Sequence, residues 1–248
     1  MELWENWFLN GLKNFSLIID DEKLEKFKEY LFLIINYNQK FNLTGEKTKE
    51  DIAIKQFLDS LIPIYYVKEK LIDFKIFENS VDIGTGSGIP GIPIKIFFDE
   101  ISLHLIESNK KRVNFLEDVI DKLKLKNVFI LNGRAEELIK KEDFKGVLRE
   151  KFDSVFSRWV LKIPGIFELT APFVKREGKI FLWKGVDEIE LIEKSISFLD
   201  ELGLKIENIF KYELPYYKSE RVLLVLKKVN NTPEKYPRSF KKIKNLSI

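Results

Sequence analysis

The sequence SVDIGTGSGIPGIP, Ser80 to Pro93, holds four glycines and two prolines. The whole 248-residue chain has only 12 glycines and 8 prolines, so this stretch differs clearly from its surroundings. Glycine is placed where the backbone turns tightly, or where another group approaches it with no Cβ in the way. The stretch therefore predicts a loop that a ligand or another part of the protein approaches closely.

Short apolar runs alternate with helical segments from Ser80 onward, and this alternation predicts a parallel sheet with helices on both faces. The candidate parallel strands are Val81–Ile83, Ser102–Ile106, Val128–Leu131, Asp153–Phe156 and Lys179–Trp183. Two further apolar runs, Leu204–Tyr212 and Arg221–Lys227, are joined without a helix, which predicts an antiparallel C-terminal hairpin. We therefore expect an α/β fold with a seven-stranded, mostly parallel, doubly wound sheet. The expected helices lie near 89–98, 110–123, 135–140, 163–174 and 186–202.

The residues before the loop are predicted to be helical and to pack on the sheet. Apolar residues recur at helical spacing from Leu24 to Ile35, after an acidic start that a helix N-terminus favours. A second helix is expected from Thr48, as its N-cap, to Leu61. The predicted organisation is a helical segment over 1–79, a sheet domain over 80–229 and a basic tail over 230–248.

The composition excludes several kinds of site. The chain has no cysteine and a single histidine, which rules out disulfides, thiolate metal sites and multi-histidine sites. That histidine, His104, falls in mid-strand and is interpreted as a packed or edge residue rather than a catalyst. The N-terminus lacks the basic start and apolar run of a signal peptide, and no apolar run is long enough to span a membrane. We expect a cytoplasmic protein with no metal and no membrane partner.

The charge of the chain is unevenly distributed. The net charge is only +3, yet residues 227–248 contain seven basic residues and one acidic residue. A basic tail on a nearly neutral body predicts either a polyanionic partner or a solvated, partly disordered end.

Three kinds of ligand loop are compared with the glycine-rich stretch. A phosphate-binding P-loop is excluded because the required Gly-Lys-Ser/Thr ending is missing. Residues 86–91 fit the dinucleotide pattern G-x-G-x-x-G, with Glu107 about twenty residues on, but the turn already begins at Gly84. Residues 82–88 match the adenosylmethionine pattern D-x-G-x-G-x-G at every position. A tight turn that binds nothing is the structural alternative.

The third pattern gives individual residues a role. Asp82 opens the motif, and Gly86 lets the backbone pass under the amino-acid and ribose parts of the cofactor. Glu107 is expected at the end of the second strand, where its carboxylate accepts hydrogen bonds from both ribose hydroxyls.

Six sequence elements then follow one another: VDIGTGSGIPGIP, IESNKKRVNFL, NGRAEE, FDSVFSRW, LWKG and TPEKYPR. In this order they resemble the RsmG (GidB) family, which are bacterial adenosylmethionine-dependent methyltransferases that modify guanine N7 in 16S ribosomal RNA. Upstream, YNQKFNLTG and FLDSL extend the resemblance over most of the chain. It implies a class I methyltransferase fold, S-adenosyl-L-methionine as cofactor and guanine-527 as target. The implied partner is 16S rRNA or the small ribosomal subunit, with the protein itself a monomer.

The resemblance implies cofactor contacts at Gly84, Ile89, Ala135, Glu136 and Arg158. Ala135 and Glu136 follow the third strand, where backbone groups reach the adenine edge. Arg158 follows the fourth strand, where its guanidinium pairs with the methionine carboxylate or with RNA. The alternative for Arg158 is a surface salt bridge to Glu168 or a similar residue.

The chain also departs from the family pattern. Gln56 stands where the family usually has histidine, and Trp159 stands where it usually has alanine. No catalytic residue is therefore assigned. Asp59 is a candidate for stabilising the methylated base, or else an N-cap or salt-bridge residue. Of the aromatic residues available for stacking on a base, Trp159 is expected nearer the site than Tyr216 and Tyr217.

The predicted chemistry fits this composition. Guanine N7 carries an exposed lone pair and no proton, so its methylation needs no general base. Phosphate contacts are expected from the basic tail and from Lys110, Lys111 and Arg112. Two other functions stay open: a methyltransferase acting on another RNA or a small molecule, and a non-catalytic RNA-binding protein that senses the cofactor.

Overall fold

The computed structural model describes residues 2–144 and 146–246 and is built around one seven-stranded sheet. Its strands are β1 (Asn79–Ile83), β2 (Ser102–Glu107), β3 (Val128–Asn132), β4 (Phe152–Arg158), β5 (Val174–Gly185), β6 (Leu204–Leu214) and β7 (Ser219–Lys228). They lie side by side in the order β3-β2-β1-β4-β5-β7-β6. The first five strands are parallel, and β7 runs antiparallel to both β5 and β6. The predicted fold class, with its C-terminal antiparallel hairpin, is confirmed.

The helices connect and cover the strands. They are α1 (Leu3–Asn14), α2 (Asp21–Lys40), α3 (Lys49–Asp51), α4 (Ile62–Lys68), α5 (Gly91–Phe97), α6 (Lys110–Lys122), α7 (Ala135–Leu138), α8 (Gly165–Thr170), α9 (Ile189–Lys194), α10 (Ile196–Glu201) and α11 (Phe240–Lys244). Short 3₁₀ turns occupy Phe74–Phe77, Glu142–Phe144 and Val186–Glu188. None of the helices in the described residues has both the length and the apolar character needed to cross a membrane.

The position of β1 decides where a ligand can bind. The strand lies between β2 and β4, and its last four residues are buried. The winding of the sheet reverses at β1, because β2 and β3 lie on one side of it and β4 and β5 on the other. In an open parallel sheet this switch point opens a crevice at the carboxyl ends of the strands. The glycine-rich loop that follows Ile83 enters this crevice.

The N-terminal helices are part of the core. Phe8 on α1 and Phe27 on α2 are fully buried in the same apolar cluster as Phe156 and Trp183 of the sheet. The predicted N-cap is confirmed, since the Thr48 hydroxyl accepts the Asp51 N–H at 3.0 Å. The helix then continues through a π-helical segment, Ile52–Leu58.

One segment that was predicted to be a single helix is interrupted in the structure. The segment 186–202 was expected to form a single helix, but it is divided into a 3₁₀ turn, α9 and α10. The break falls at Ser195, whose hydroxyl donates to the Leu191 carbonyl at 2.6 Å. Serine side chains that bond to nearby carbonyls offer the backbone an alternative to the regular helix, and apolar periodicity does not reveal this.

The C-terminal segment packs on the body of the protein as far as it is described. Tyr236 and Ile243 are buried in a second apolar cluster, distinct from the one that contains Phe8 and Phe27, together with side chains of strands β4, β5 and β7. The Arg238 guanidinium holds the buried Glu168 carboxylate, with Nη2 2.5 Å from Oε2. Residues 232–246 are therefore packed on the fold rather than partly disordered, although Lys241, Lys242 and Lys244 are exposed to solvent. Ser247 and Ile248 lie outside the described residues.

Candidate functional site

A cleft of about 310 Å³ opens at the carboxyl end of β1. One wall is the glycine-rich loop, and the opposite wall comes from the N-terminal helical region. Its lining includes Leu43, Thr44, Gly45, Glu46, Gln56, Gly84, Thr85, Gly86, Ser87, Ile89, Arg112, Arg158 and Trp159. Four of the predicted cofactor-binding residues (Gly84, Gly86, Ile89 and Arg158) are thus brought together.

Two glycines give the loop its shape. Gly84 and Gly86 have φ angles of +68° and +61°, a left-handed region that residues with a Cβ adopt at a cost. A Cβ at Gly84 would lie 2.5 Å from the Val160 side chain, so close packing against the segment after β4 also requires glycine. A Cβ at Gly86 would meet nothing nearer than Arg112, at 3.8 Å. The open space beside Gly86 belongs to the cleft and leaves its backbone accessible.

Asp82 lies beneath the loop and holds it together. Its carboxylate is fully buried, and Oδ2 accepts the Thr85 hydroxyl at 2.7 Å and the Gly91 N–H at 2.9 Å. Oδ1 has no partner. Burial raises the pKa of Asp82 to about 7, although both hydrogen bonds favour the charged form. Asp82 was predicted as a cofactor-binding residue, and in the structure it contacts the loop from below rather than lining the cleft.

The raised pKa of Asp82 predicts a pH-dependent stability. Between about pH 4 and pH 7 the unfolded chain has already lost the Asp82 proton while the folded chain still holds it, so stability falls as pH rises through this window. The total loss is up to about 4 kcal/mol. Asp82→Asn keeps an acceptor for Thr85 and Gly91 and should remove this loss. We expect the variant to gain stability relative to wild type from pH 4 to pH 7, in urea unfolding at each pH. A constant difference across this range would contradict the assignment.

Glu107 at the end of β2 connects the loop to the next strand. Its Oε2 accepts the Gly86 N–H at 3.0 Å, and its Oε1 accepts the Asn109 N–H at 2.8 Å. Arg112 Nη1 lies 3.9 Å from Oε2. The carboxylate thus lies against the backbone of Gly86, but Glu107 is buried and is not among the residues that line the cleft.

Arg158, the last residue of β4, forms a different ion pair from the one considered above. Its Nη2 lies 2.9 Å from Oδ2 of the buried Asp59 and also donates to the Lys55 carbonyl. The alternative partner Glu168 is occupied by Arg238. Within the described residues, the Nε and Nη1 donors of Arg158 are buried without a hydrogen-bond partner, whereas buried polar groups are usually paired.

Asp59 is the centre of a buried polar cluster. Its carboxylate accepts the Tyr212 hydroxyl at 2.6 Å and Arg221 Nη1 at 2.7 Å, in addition to Arg158. Its backbone carbonyl accepts the Trp183 indole N–H at 2.8 Å. Because both carboxylate oxygens are engaged, Asp59 is an ion-pair residue that orients Arg158, and it is neither an N-cap nor available to a methylated base.

Ala135 and Glu136 lie at the start of α7, beyond the end of β3. They are buried, and neither is among the residues that line the cleft beside the loop. The backbone connects the start of α7 to the region of the cleft through Glu107, because the Gly133 N–H donates to the Glu107 carbonyl at 3.0 Å. In the described part of the chain Glu136 Oε1 has no hydrogen-bond partner, and burial raises the pKa of this carboxyl.

The sequence did not predict the wall opposite the loop. Residues 43–46 line the cleft, and Asn38 holds them there by accepting the Leu43 and Thr44 N–H groups, each at 3.0 Å. Gln56 donates to the Thr44 hydroxyl, and its Oε1 is buried without a partner. The only sequence signal was the segment YNQKFNLTG, which carries the resemblance but does not by itself indicate a cleft wall.

The other residues considered at the sequence level lie in varied places. His104 packs between the Phe129 and Phe152 rings, and burial lowers its pKa, as a packed residue requires. Tyr216 stacks on Trp7, with ring centroids 4.3 Å apart, away from the loop cleft. Trp159 lines the cleft and is 68% exposed. Of the three aromatic residues considered for stacking, Trp159 lines this cleft, and Tyr216 and Tyr217 do not.

The family model for GidB, described as rRNA small subunit methyltransferase G, matches residues 23–227. The chain belongs to this family. Its methyltransferase fold and the resemblance drawn from the six sequence elements are thereby confirmed.

Individual relatives cover nearly the full length. The Ribosomal RNA small subunit methyltransferase G of Carboxydothermus hydrogenoformans is 41% identical over 224 residues, which is 90% of this chain and 91% of the relative. The protein of the same name from Lachnoclostridium phytofermentans is 39% identical over 232 residues, 94% of this chain and 92% of the relative. Among solved structures, Aeropyrum pernix fibrillarin bound to S-adenosyl-L-methionine matches with a TM-score of 0.48 at 15% identity. That match covers 64% of this chain and 71% of fibrillarin.

Proposed function

We propose that this protein uses S-adenosyl-L-methionine to methylate N7 of a guanine in 16S rRNA, at the position that the family resemblance implies, guanine-527. The observation that carries the proposal is the family match over residues 23–227, combined with a cleft at the carboxyl end of β1. The substrate is the free 16S rRNA or the small ribosomal subunit.

The residues of the cleft fit this cofactor. The open space beside the Gly86 backbone is what a ligand needs to lie against the loop, and a side chain there would fill it. We assign Gly84, Gly86 and Ile89 to the loop contact. Glu107 holds the Gly86 N–H with one lone pair of Oε2, and carboxylate oxygens have further lone pairs that accept ribose hydroxyls.

The unpartnered polar atoms fit the two ends of the cofactor. The unpartnered Nε and Nη1 donors of Arg158 suit an anionic acceptor such as the methionine carboxylate, because hydrogen bonds from a guanidinium to a carboxylate are charge-assisted. Ala135 and Glu136 are assigned to the adenine, where the free Glu136 Oε1 provides an acceptor for an exocyclic amine. Asp82 shapes the loop through Thr85 and Gly91 and acts on the cofactor only through them.

The work of the chain in this reaction is positioning. When bound, the cofactor supplies an electrophilic methyl group on a positively charged sulfur. Gly84, Gly86, Ile89 and Arg158 would hold it, and its methyl group would pass to the N7 lone pair of guanine with the neutral thioether as leaving group. No proton moves, so no general base is needed. Holding the base and the methyl group in line lowers the free-energy barrier of the transfer. For well-oriented reactants this contribution reaches about 7 kcal/mol or more.

The C-terminal segment provides a basic surface near the carboxyl edge of the sheet. Arg134, which precedes α7, stacks on the Phe240 ring of α11 at 4.1 Å. Lys241 and Lys242 of α11 are exposed. We assign this surface to RNA phosphates, since lysine contacts with phosphate supply sequence-independent affinity.

Replacing Lys241 and Lys242 together with alanine is expected to weaken binding to 16S rRNA. The slope of log affinity against log salt concentration should fall by about 2, one for each phosphate that the variant no longer neutralises. The measurement is a filter-binding titration at several salt concentrations. The matched control replaces Lys122 and Lys124, which are exposed near the start of β3 at the opposite edge of the sheet. Equal slopes for both double variants would contradict an RNA surface on α11.

The function itself is tested by methyl transfer in a single turnover. Small ribosomal subunits and free 16S rRNA that lack the modification are incubated with the protein and labelled cofactor, and the modified base is mapped by mass spectrometry. The expected result is one methyl group on N7 of guanine-527. Transfer to another RNA site or to a small molecule would redirect the proposal, and cofactor binding without any transfer would favour a sensing role.

A further inference from the structure

We propose that the target guanine binds in a second cavity beside the cofactor cleft, stacked on Trp159 and recognised through the carboxylate of Asp187. This inference rests on the proposed function and goes further, because it names the residues that select guanine and turn its N7 toward the cofactor.

The cavity lies where a substrate must approach the cofactor cleft. It has a volume of about 540 Å³ and is bounded by the segment after β4, from Trp159 to Lys162, and by the segment after β5, including Lys184 and Asp187. Trp159 also lines the cleft beside the glycine-rich loop. The two cavities therefore share the indole as a common wall at the carboxyl edge of the sheet.

The conformation of Trp159 supports a ligand contact. Its φ angle is +56°, a left-handed value that a bulky residue adopts at an energetic cost, and such strain is concentrated at functional sites. The indole is 68% exposed, whereas Trp4 and Trp183 are almost fully buried. Aromatic side chains that are held in the open provide stacking surfaces for unpaired bases, and each such contact contributes roughly 1–3 kcal/mol. The occupant that fits an indole next to a methyl-transfer cleft in a basic RNA-modifying protein is an unpaired base of the RNA.

The polar groups of the cavity select guanine among the bases. Glu188 is neutralised by Lys184, with Nζ 3.0 Å from Oε2. Asp187 is exposed, its carboxylate folds over Gly185 at the end of β5, and it has no hydrogen bond or ion pair within the described parts of the chain. A carboxylate accepts two parallel N–H bonds, and guanine offers such a pair at N1 and N2 whereas adenine does not.

This contact also explains which atom is methylated. N1 and N2 lie on the edge of guanine that faces away from N7. A guanine stacked on Trp159 and held by Asp187 at N1 and N2 therefore leaves N7 unobstructed on the edge of the base that points away from Asp187. The transfer then proceeds as described above, with the N7 lone pair forming the bond to the methyl carbon.

The decisive experiment compares guanosine and inosine at the target position. Inosine keeps N7 and N1–H but lacks the N2 amino group, and 16S rRNA containing it is prepared by splinted ligation and assembled into subunits. Wild type should methylate the inosine substrate about tenfold to a hundredfold less efficiently in kcat/KM, as expected for one hydrogen bond to a charged group. Asp187→Asn should lower kcat/KM on guanosine by a similar factor and should no longer discriminate between the two substrates.

The controls separate this inference from the proposed function. Asp200→Asn removes an exposed carboxylate on α10 outside both cavities and should keep the wild-type discrimination. Cofactor affinity of Asp187→Asn, measured by calorimetry, should equal that of wild type. Trp159→Phe should retain more activity than Trp159→Ala, because a smaller ring still stacks. Absence of transfer by wild type would overturn the function, whereas wild-type transfer with unchanged discrimination in Asp187→Asn would overturn only the guanine pocket.

Discussion

Replacing Gly86 with leucine is expected to raise the dissociation constant for S-adenosyl-L-methionine by about tenfold to a hundredfold or more. The new side chain would project from the loop into the cleft, where, among the described residues other than its chain neighbours, only Arg112 Nη1 lies within 4 Å of its Cβ, at 3.8 Å. Overfilling a space that a ligand occupies costs about 1–3 kcal/mol, and each 1.4 kcal/mol is a factor of ten in affinity. Calorimetric titration of wild type and variant with the cofactor measures the effect.

The backbone penalty must be separated from the loss of space. At a φ of +61°, any side chain costs about 1–2 kcal/mol of stability, whatever surrounds it. Gly146 offers a matched control, because it has a φ of +72° and is exposed, and no described residue beyond its chain neighbours has an atom within 4 Å of the point that a Cβ would occupy. Gly146→Leu should lose comparable stability and bind the cofactor normally. Normal binding by Gly86→Leu would mean that the loop does not contact the cofactor.

Replacing Asp59 with alanine is expected to have the largest effect on stability. The substitution removes the acceptor of Arg158, Arg221 and Tyr212 from a site that is fully shielded from solvent. Breaking a buried ion pair by deleting one partner leaves an uncompensated charge and costs about 3–5 kcal/mol. The measurement is the free energy of unfolding from urea denaturation, with circular dichroism as the probe.

An exposed ion pair provides the comparison that shows how much burial adds to the stability effect. Glu190→Ala breaks an ion pair with Lys194 at 2.5 Å in which both side chains are largely exposed, and such pairs contribute less than about 1 kcal/mol. A stability loss for Asp59→Ala no larger than for Glu190→Ala would contradict the structural role of Asp59. The variant should also weaken cofactor binding, because Arg158 loses the carboxylate that orients it.

Much of the fold was predictable because its signals are local. Strand and helix periodicities depend on neighbours along the chain, and the absence of a helix between β6 and β7 was enough to predict the antiparallel hairpin. The sequence also predicted that the glycine-rich loop and Glu107 lie close together, because the carboxyl ends of adjacent parallel strands lie at one edge of the sheet. The cofactor contacts assigned to these residues stay predictions. Helix continuity failed at Ser195, where a single side-chain hydrogen bond outweighs the apolar pattern.

The sequence by itself determined the sheet, the place of the ligand crevice and the family. Only the tertiary structure decided the partners of the charged residues in that crevice. Arg158 could have paired with many acids, and it meets Asp59, almost a hundred positions earlier in the chain, because the N-terminal helices pack against the end of β4. The left-handed backbone of Trp159 and the cleft wall formed by residues 43–46 also depend on how distant segments pack together. Contacts between distant segments depend on how whole elements pack, and residue spacing along the chain carries no record of them.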